Sequence, residues 1–194
     1  TFTLQHGFRL QLVASEPLVA DPVDACFDAD GRLYVAQMHG YPFSQEPTRL
    51  NPKGGGKPDA GIVRLLEDTD GDGRFDRSVK FADKIRWPTS VCCYDGGVFV
   101  LAPPKLHYFK DTTGDGKYDT VYRSTRGGTE PDQIWEDKDG DSVADLVHVD
   151  VDGDGTLDMV HEDTDGDGKM DVIHEDLDGD GVADLVHEDV DGDG

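Results

Sequence analysis

From Glu136 onward the sequence repeats itself every 13 residues. Glu136–His148, Val149–His161, Glu162–His174 and Glu175–His187 align on histidine, and a fifth copy, Glu188–Gly194, stops in mid-motif. The consensus is E-D-x-D-G-D-G-x-x-D-h-V-H, where h is apolar. Self-similarity at a fixed period marks an array of identical small units. Each unit has few apolar residues, too few to offset an ordering entropy of ~1–2 kcal/mol per residue. Something besides a hydrophobic core must therefore order this stretch.

Each copy contains the nonamer D-x-D-x-D-G-x-x-D. In a calcium loop, side-chain oxygens come from positions 1, 3 and 5 and a backbone carbonyl from position 7, while position 9 acts directly or through water. Position 6 is glycine because the chain turns there into a conformation costly for a β-carbon. The predicted ligands are Asp137, Asp139, Asp141, the Val143 carbonyl and Asp145, with Ser142 in the glycine slot. The next sets are Asp150, Asp152, Asp154, the Thr156 carbonyl and Asp158, then Asp163, Asp165, Asp167, the Lys169 carbonyl and Asp171. Asp176, Asp178, Asp180, the Val182 carbonyl and Asp184 follow, and Asp189, Asp191 and Asp193 begin the unfinished copy.

Two earlier stretches fit the same template. Asp68, Asp70, Asp72, the Arg74 carbonyl and Asp76 form a complete one; Asp111, Thr113, Asp115, the Lys117 carbonyl and Asp119 form one with threonine at position 3. Passive solvation would not place acids at fixed offsets beside apolar pairs such as Val172-Ile173. All-oxygen donors in flexible geometry suit calcium better than magnesium, and zinc prefers nitrogen and sulfur.

The loops differ from helix–loop–helix hands. Position 12 is His148, His161, His174 or His187 instead of a bidentate glutamate, and four residues between nonamers leave no space for helices. That excludes paired EF-hands. The missing ligand predicts weak sites, on the order of 10⁻⁴–10⁻³ M. A following aspartate such as Asp176 is a candidate to complete the preceding site. The histidines read as one solvated position of a duplicated unit, one that makes ion binding sensitive to pH near neutrality.

Charge is distributed unevenly. The chain carries −24, of which residues 134–194 contribute 23 acidic side chains against Lys138 and Lys169. Four divalent ions in the four complete tail loops would lower the tail's charge from −21 to −13, and folding there should be metal-driven. No basic face exists to displace counterions from nucleic acid. No apolar run approaches the ~20 residues of a membrane helix.

All aromatic residues precede residue 136, so the first part alone can build a conventional core. It reads as β: Phe8–Leu12, Leu33–Val35, Ile62–Leu66, Val98–Leu101, Leu106–Phe109 and Val121-Tyr122 are short strand-like runs separated by turn signals. Cys26, Cys92 and Cys93 read as buried strand residues, and His107 as a satisfied strand histidine. Arg86-Trp87-Pro88 reads as packing. The expected organisation is a β region over 1–125, a linker over 126–135 and acidic calcium-binding repeats over 136–194.

Gly7 through Pro22, Phe27 through Val35 with Gly40-Tyr-Pro42, and Gly61 through Arg77 with Trp87-Pro-Thr89 and Cys93 through Val100 carry a family likeness. Together they resemble the N-terminal region of planctomycete-type membrane-bound dehydrogenases, β-propellers similar to the sorbosone and soluble glucose dehydrogenases. The likeness covers about residues 5–125. It implies an exported protein, extracellular or periplasmic, and a longer parent that uses pyrroloquinoline quinone. Propellers need ~4–8 blades, and this stretch supplies two or three. No residue is assigned a catalytic or quinone-binding role.

The tandem acidic loops resemble thrombospondin type 3 repeats, and each loop with its apolar pair resembles FG-GAP calcium loops. The fold class expected is mainly β: partial propeller-like blades followed by a calcium-stabilised array. The leading function is calcium binding in an exported β-rich protein. The alternative is part of a quinone-dependent sugar or alcohol dehydrogenase, not active by itself. A third reading treats the near-identical copies as an expansion without a selected role.

Overall fold

The computed structural model describes residues 3–42, 45–47, 49, 52–125, 131–141 and 143–189. Among them there is no helix; the chain is all β, in two antiparallel sheets. The first sheet is a meander of β1 (Pro22–Phe27), β2 (Leu33–Gln37), β3 (Gly61–Glu67) and β4 (Arg77–Ile85). The second begins as another meander, β5 (Ser90–Tyr94), β6 (Gly97–Ala102), β7 (Lys105–Lys110) and β8 (Thr120–Ser124). It continues through β9 (Gln133–Glu136), β10 (Leu146–Val149), β11 (Met159–Glu162), β12 (Val172–Glu175) and β13 (Leu185–Glu188) to nine strands in sequence order.

Alternation along the strands explains the core. Val63 and Leu65 of β3, Phe81 of β4, Val98 and Val100 of β6, Phe109 of β7 and Val121 of β8 are fully or almost fully buried and form one cluster between the sheets. Tyr34 packs edge-on against Phe81, with ring centroids 5.0 Å apart. The sheets are tied where β1 and β2 meet β5. There Asp24 accepts hydrogen bonds from the Ser90 hydroxyl (2.6 Å) and the Val91 N–H (2.9 Å). The Ser90 hydroxyl first, then the Val91 N–H, hold the Asp24 carboxyl below its usual range.

Three sequence expectations need correction. Phe8–Leu12 is not a strand: Phe8, Leu10 and Leu12 are exposed, and no described strand pairs with them. Alternation alone cannot supply a ladder partner. The segment instead lies against the loop after β3, where the Val13 carbonyl accepts the Phe75 N–H (2.9 Å). Of the cysteines, all in strands, Cys92 is exposed and the other two are half-buried. Burial pushes the Cys93 thiol up to about 12. Finally, the expected linker contains β9, which pairs with β8 and β10, so the second sheet runs unbroken into the repeats.

Candidate metal sites

In the array each repeat becomes one acidic loop and one four-residue strand. The loop folds around its own aspartates. The position-1 carboxylate accepts N–H groups from the glycines at positions 4 and 6, at 2.6–3.1 Å, in the loops beginning at Asp68, Asp111, Asp150, Asp163 and Asp176. Asp137 accepts from Gly140 (2.7 Å); Ser142 lies outside the described residues. Every described glycine at these two positions has φ between 73° and 93°. Sequence reasoning demanded glycine only at position 6; the turn at position 4 is equally left-handed.

The remaining acids close the ring. Asp70, Asp139, Asp152, Asp165 and Asp178 at position 3 accept the N–H of position 5 at 3.0–3.2 Å. Asp72, Asp115, Asp141, Asp154, Asp167 and Asp180 accept from position 7, at 2.6–2.9 Å. Thus Arg74, Lys117, Val143, Thr156, Lys169 and Val182 all donate their N–H inward.

Position 9 reaches back to position 2. Asp76, Asp119, Asp158, Asp171 and Asp184 accept from Thr69, Thr112, Val151, Thr164 and Leu177 at 2.5–3.0 Å, and Asp145 accepts from Lys138. Thr113, the substituted position 3, places its hydroxyl 3.3 Å from Asp119 Oδ1.

These contacts leave carboxylate oxygens converging. One oxygen from each member lies within 4.8 Å of the others in Asp68/Asp70/Asp72, Asp111/Asp115/Asp119, Asp137/Asp139/Asp145, Asp150/Asp152/Asp158 and Asp163/Asp165/Asp171. Oxygens on opposite sides of a calcium ion, each at 2.3–2.6 Å, stand about 5 Å apart, so the donor chemistry and the spacing both fit. Position 5 joins the group in the first two of these loops, and in the other three of them position 9 joins positions 1 and 3.

Four of the loop carboxyls are held below their usual range. The Thr164 hydroxyl lowers Asp171 and the Thr69 hydroxyl lowers Asp76, while the Gly181 N–H lowers Asp176. Burial raises Asp119, but the hydroxyls and N–H groups of Thr112 and Thr113 outweigh it and the net shift is downward. Asp137, Asp150 and Asp163 are buried carboxylates. Asp189 is described as far as its N–H bond to the Asp171 carbonyl (2.7 Å); Asp191 and Asp193 lie outside the described residues.

Antiparallel pairing sends alternate loops to opposite ends of the strands. The Asp137 N–H bonds the Asp119 carbonyl (2.8 Å), Asp163 bonds Asp145 (2.9 Å) and Asp189 bonds Asp171, forming one column of loops. On the other edge Asp150 bonds Asp132 (3.1 Å) and Asp176 bonds Asp158 (2.8 Å). The 13-residue sequence period is therefore a 26-residue period along each edge. Asp176 accordingly cannot complete the site of loop 163–171: β12 carries it about 13 Å away, at 3.2–3.4 Å per residue.

The histidines also alternate faces and do not gather into one site. His148, His174 and His187 each point to the glutamate diagonally across the preceding strand, with Nε2 at 3.3 Å from Glu136, 3.6 Å from Glu162 and 3.7 Å from Glu175. His161 has no such partner because position 149 is valine.

The columns expose what the sequence reading missed. Thr125 donates its N–H and hydroxyl to Asp132 (3.0 and 2.8 Å), the same contact that Thr164 makes to Asp171. Asp119, Asp132, Asp145, Asp158, Asp171 and Asp184 fall at 13-residue intervals. The supposed linker is thus a degenerate member of the repeat, and the frame begins at Asp111. The invariant final aspartate was the signal that could have found it.

Comparison with known proteins gives a family match. The model of a family described as a domain of unknown function (DUF7133) covers residues 1–138, ending inside the first complete tail loop. No curated protein and no solved structure matches the chain.

Proposed function

The chain belongs to the DUF7133 family, and since that family has no assigned function we propose one from the chain's own loops: calcium binding coupled to folding of the repeat array. The convergence of three carboxylate oxygens within 4.8 Å, repeated loop after loop, carries this reading. Stacked loops of four aspartates lie two strands apart, about 10 Å. At that distance like charges repel through one Debye length of physiological salt. A divalent ion in each loop removes two negative charges and cross-links residues that share little apolar contact.

With calcium the array is a stiff two-edged ribbon growing from the second sheet. Without it, the array is a loose polyanion. The weak sites suit an extracellular or periplasmic setting, where calcium is abundant. The two face-to-face meanders, β1–β4 and β5–β8, with β1 beside β5, support reading them as adjacent propeller blades.

Calcium titration of the full chain, followed by circular dichroism and calorimetry, tests the proposal. Saturable ordering with several ions per chain is expected, and replacing Asp165, Asp167 and Asp171 by asparagine should remove about one of them. Identical spectra in chelator and in millimolar calcium would sink the reading; equal ordering by magnesium would remove the selectivity.

A further inference from the structure

One face of the second sheet packs on the first, and its side chains fall in cross-strand rows. One row runs Cys93, Val98, Phe109, Val121 and Trp135. The next runs Val91, Val100, His107 and Arg123. Apolar side chains fill both rows until His107 and Arg123, which sit directly opposite one another on β7 and β8. A protonated His107 would be unfavourable opposite Arg123.

His107 is 8% exposed and its Nδ1 has no hydrogen-bond partner, so it is not the satisfied strand histidine expected from the sequence; Arg123 is half-buried, with its Nε buried and unpartnered. The Arg123 guanidinium lies 3.7 Å from the centre of the Trp135 ring. Among the described residues no carboxylate pairs with it. A half-desolvated guanidinium without an ion-pair partner is unfavourable, and an anion reaching it would relieve that cost.

Both side chains line a cavity of about 570 Å³ between β4 and the β7–β9 surface, within the range of small-molecule sites. Its apolar walls include Ile85, Phe109, Tyr118 and Val121. Burial holds His107 down at about 4, with Arg123 and Lys105 acting in the same direction; it is a neutral hydrogen-bonding group there. We propose that this cavity binds a small organic monocarboxylate, its carboxylate on Arg123, a polar atom on His107 Nδ1 and its body against Phe109 and Val121. A single guanidinium balances one negative charge. A phosphate dianion would be left in excess beside Asp59, Asp83 and Asp137, which also line the cavity. The cavity also borders the first tail loop, through Asp137, Val143 and Ala144, so that loop's calcium is kept saturating in the test.

The test uses the full chain in calcium, with acetate, benzoate and gluconate as probes and benzyl alcohol as the neutral control, read by calorimetry and tryptophan fluorescence. At least one carboxylate should bind saturably below about 10 mM, and Arg123→Met should weaken it at least tenfold. Arg123→Lys should weaken it less, because charge remains while the bidentate fork is lost. Ligand-free Arg123→Met should also melt at a higher temperature than the parent, since it removes a half-buried cation that has no ion-pair partner. The proposal fails if none of the three carboxylates binds, if benzyl alcohol binds as well as benzoate, or if Arg123→Met melts lower and binds equally.

Discussion

The two halves of the second sheet share a backbone plan and differ in what holds it. Strands β6–β8 present Val98, Val100, Phe109 and Val121 to a facing sheet and are buried by it. Strands β10–β13 follow the same pairing rules with nothing comparable over them: Val147 is buried, whereas Leu185 and Val186 are exposed. Order passes from apolar packing to loop chemistry along one continuous sheet. Hydrogen-bond ladders can thus extend beyond a core.

Removing divalent ions should break this comparison most sharply. In chelator, the amides of β10–β13 should lose hydrogen-exchange protection altogether while those of β3 and β6 keep it. Leu65→Ala, in the core, should do the opposite. It should cost about 2–5 kcal/mol of stability, measured by denaturant unfolding, equally with and without calcium.

Acid should act on the packed half through His107. Its folded value, about 4, lies below the ordinary 6.5, so the unfolded chain binds the proton first. Its contribution is fully present above pH 6.5 and is lost as pH falls toward 4, about 3 kcal/mol in all. His107→Gln should flatten that part of the pH profile. The smallest effect belongs to the exposed diagonal pairs. Glu162→Gln should change array stability by less than about 1 kcal/mol, as thermal melts in saturating calcium would show.

Much of the candidate site could be read in advance because its information is local. The Asx contacts of Asp163 with Gly166 and Gly168 span three and five residues, so fixed offsets in sequence become fixed geometry. The strands of the packed region were legible where apolar runs were dense, as at Val98–Leu101. Phe8–Leu12 misled because alternation says nothing about a partner. The β9 segment was hidden because Gly127 and Gly128 in the sequence look like a linker, although Asp132 keeps the frame.

By itself, then, the sequence determined the acidic loops, their glycine turns, the absence of helices among the described residues and the confinement of an apolar core to the aromatic-rich part. All of these follow from near-neighbour sterics and composition. Only the tertiary structure decided that alternate loops stack on opposite edges, that Asp176 belongs with Asp158 rather than Asp171, and that His107 and Arg123 share one buried cavity. Those facts depend on which strands pair and which face is covered, and residues far apart in the chain settle both.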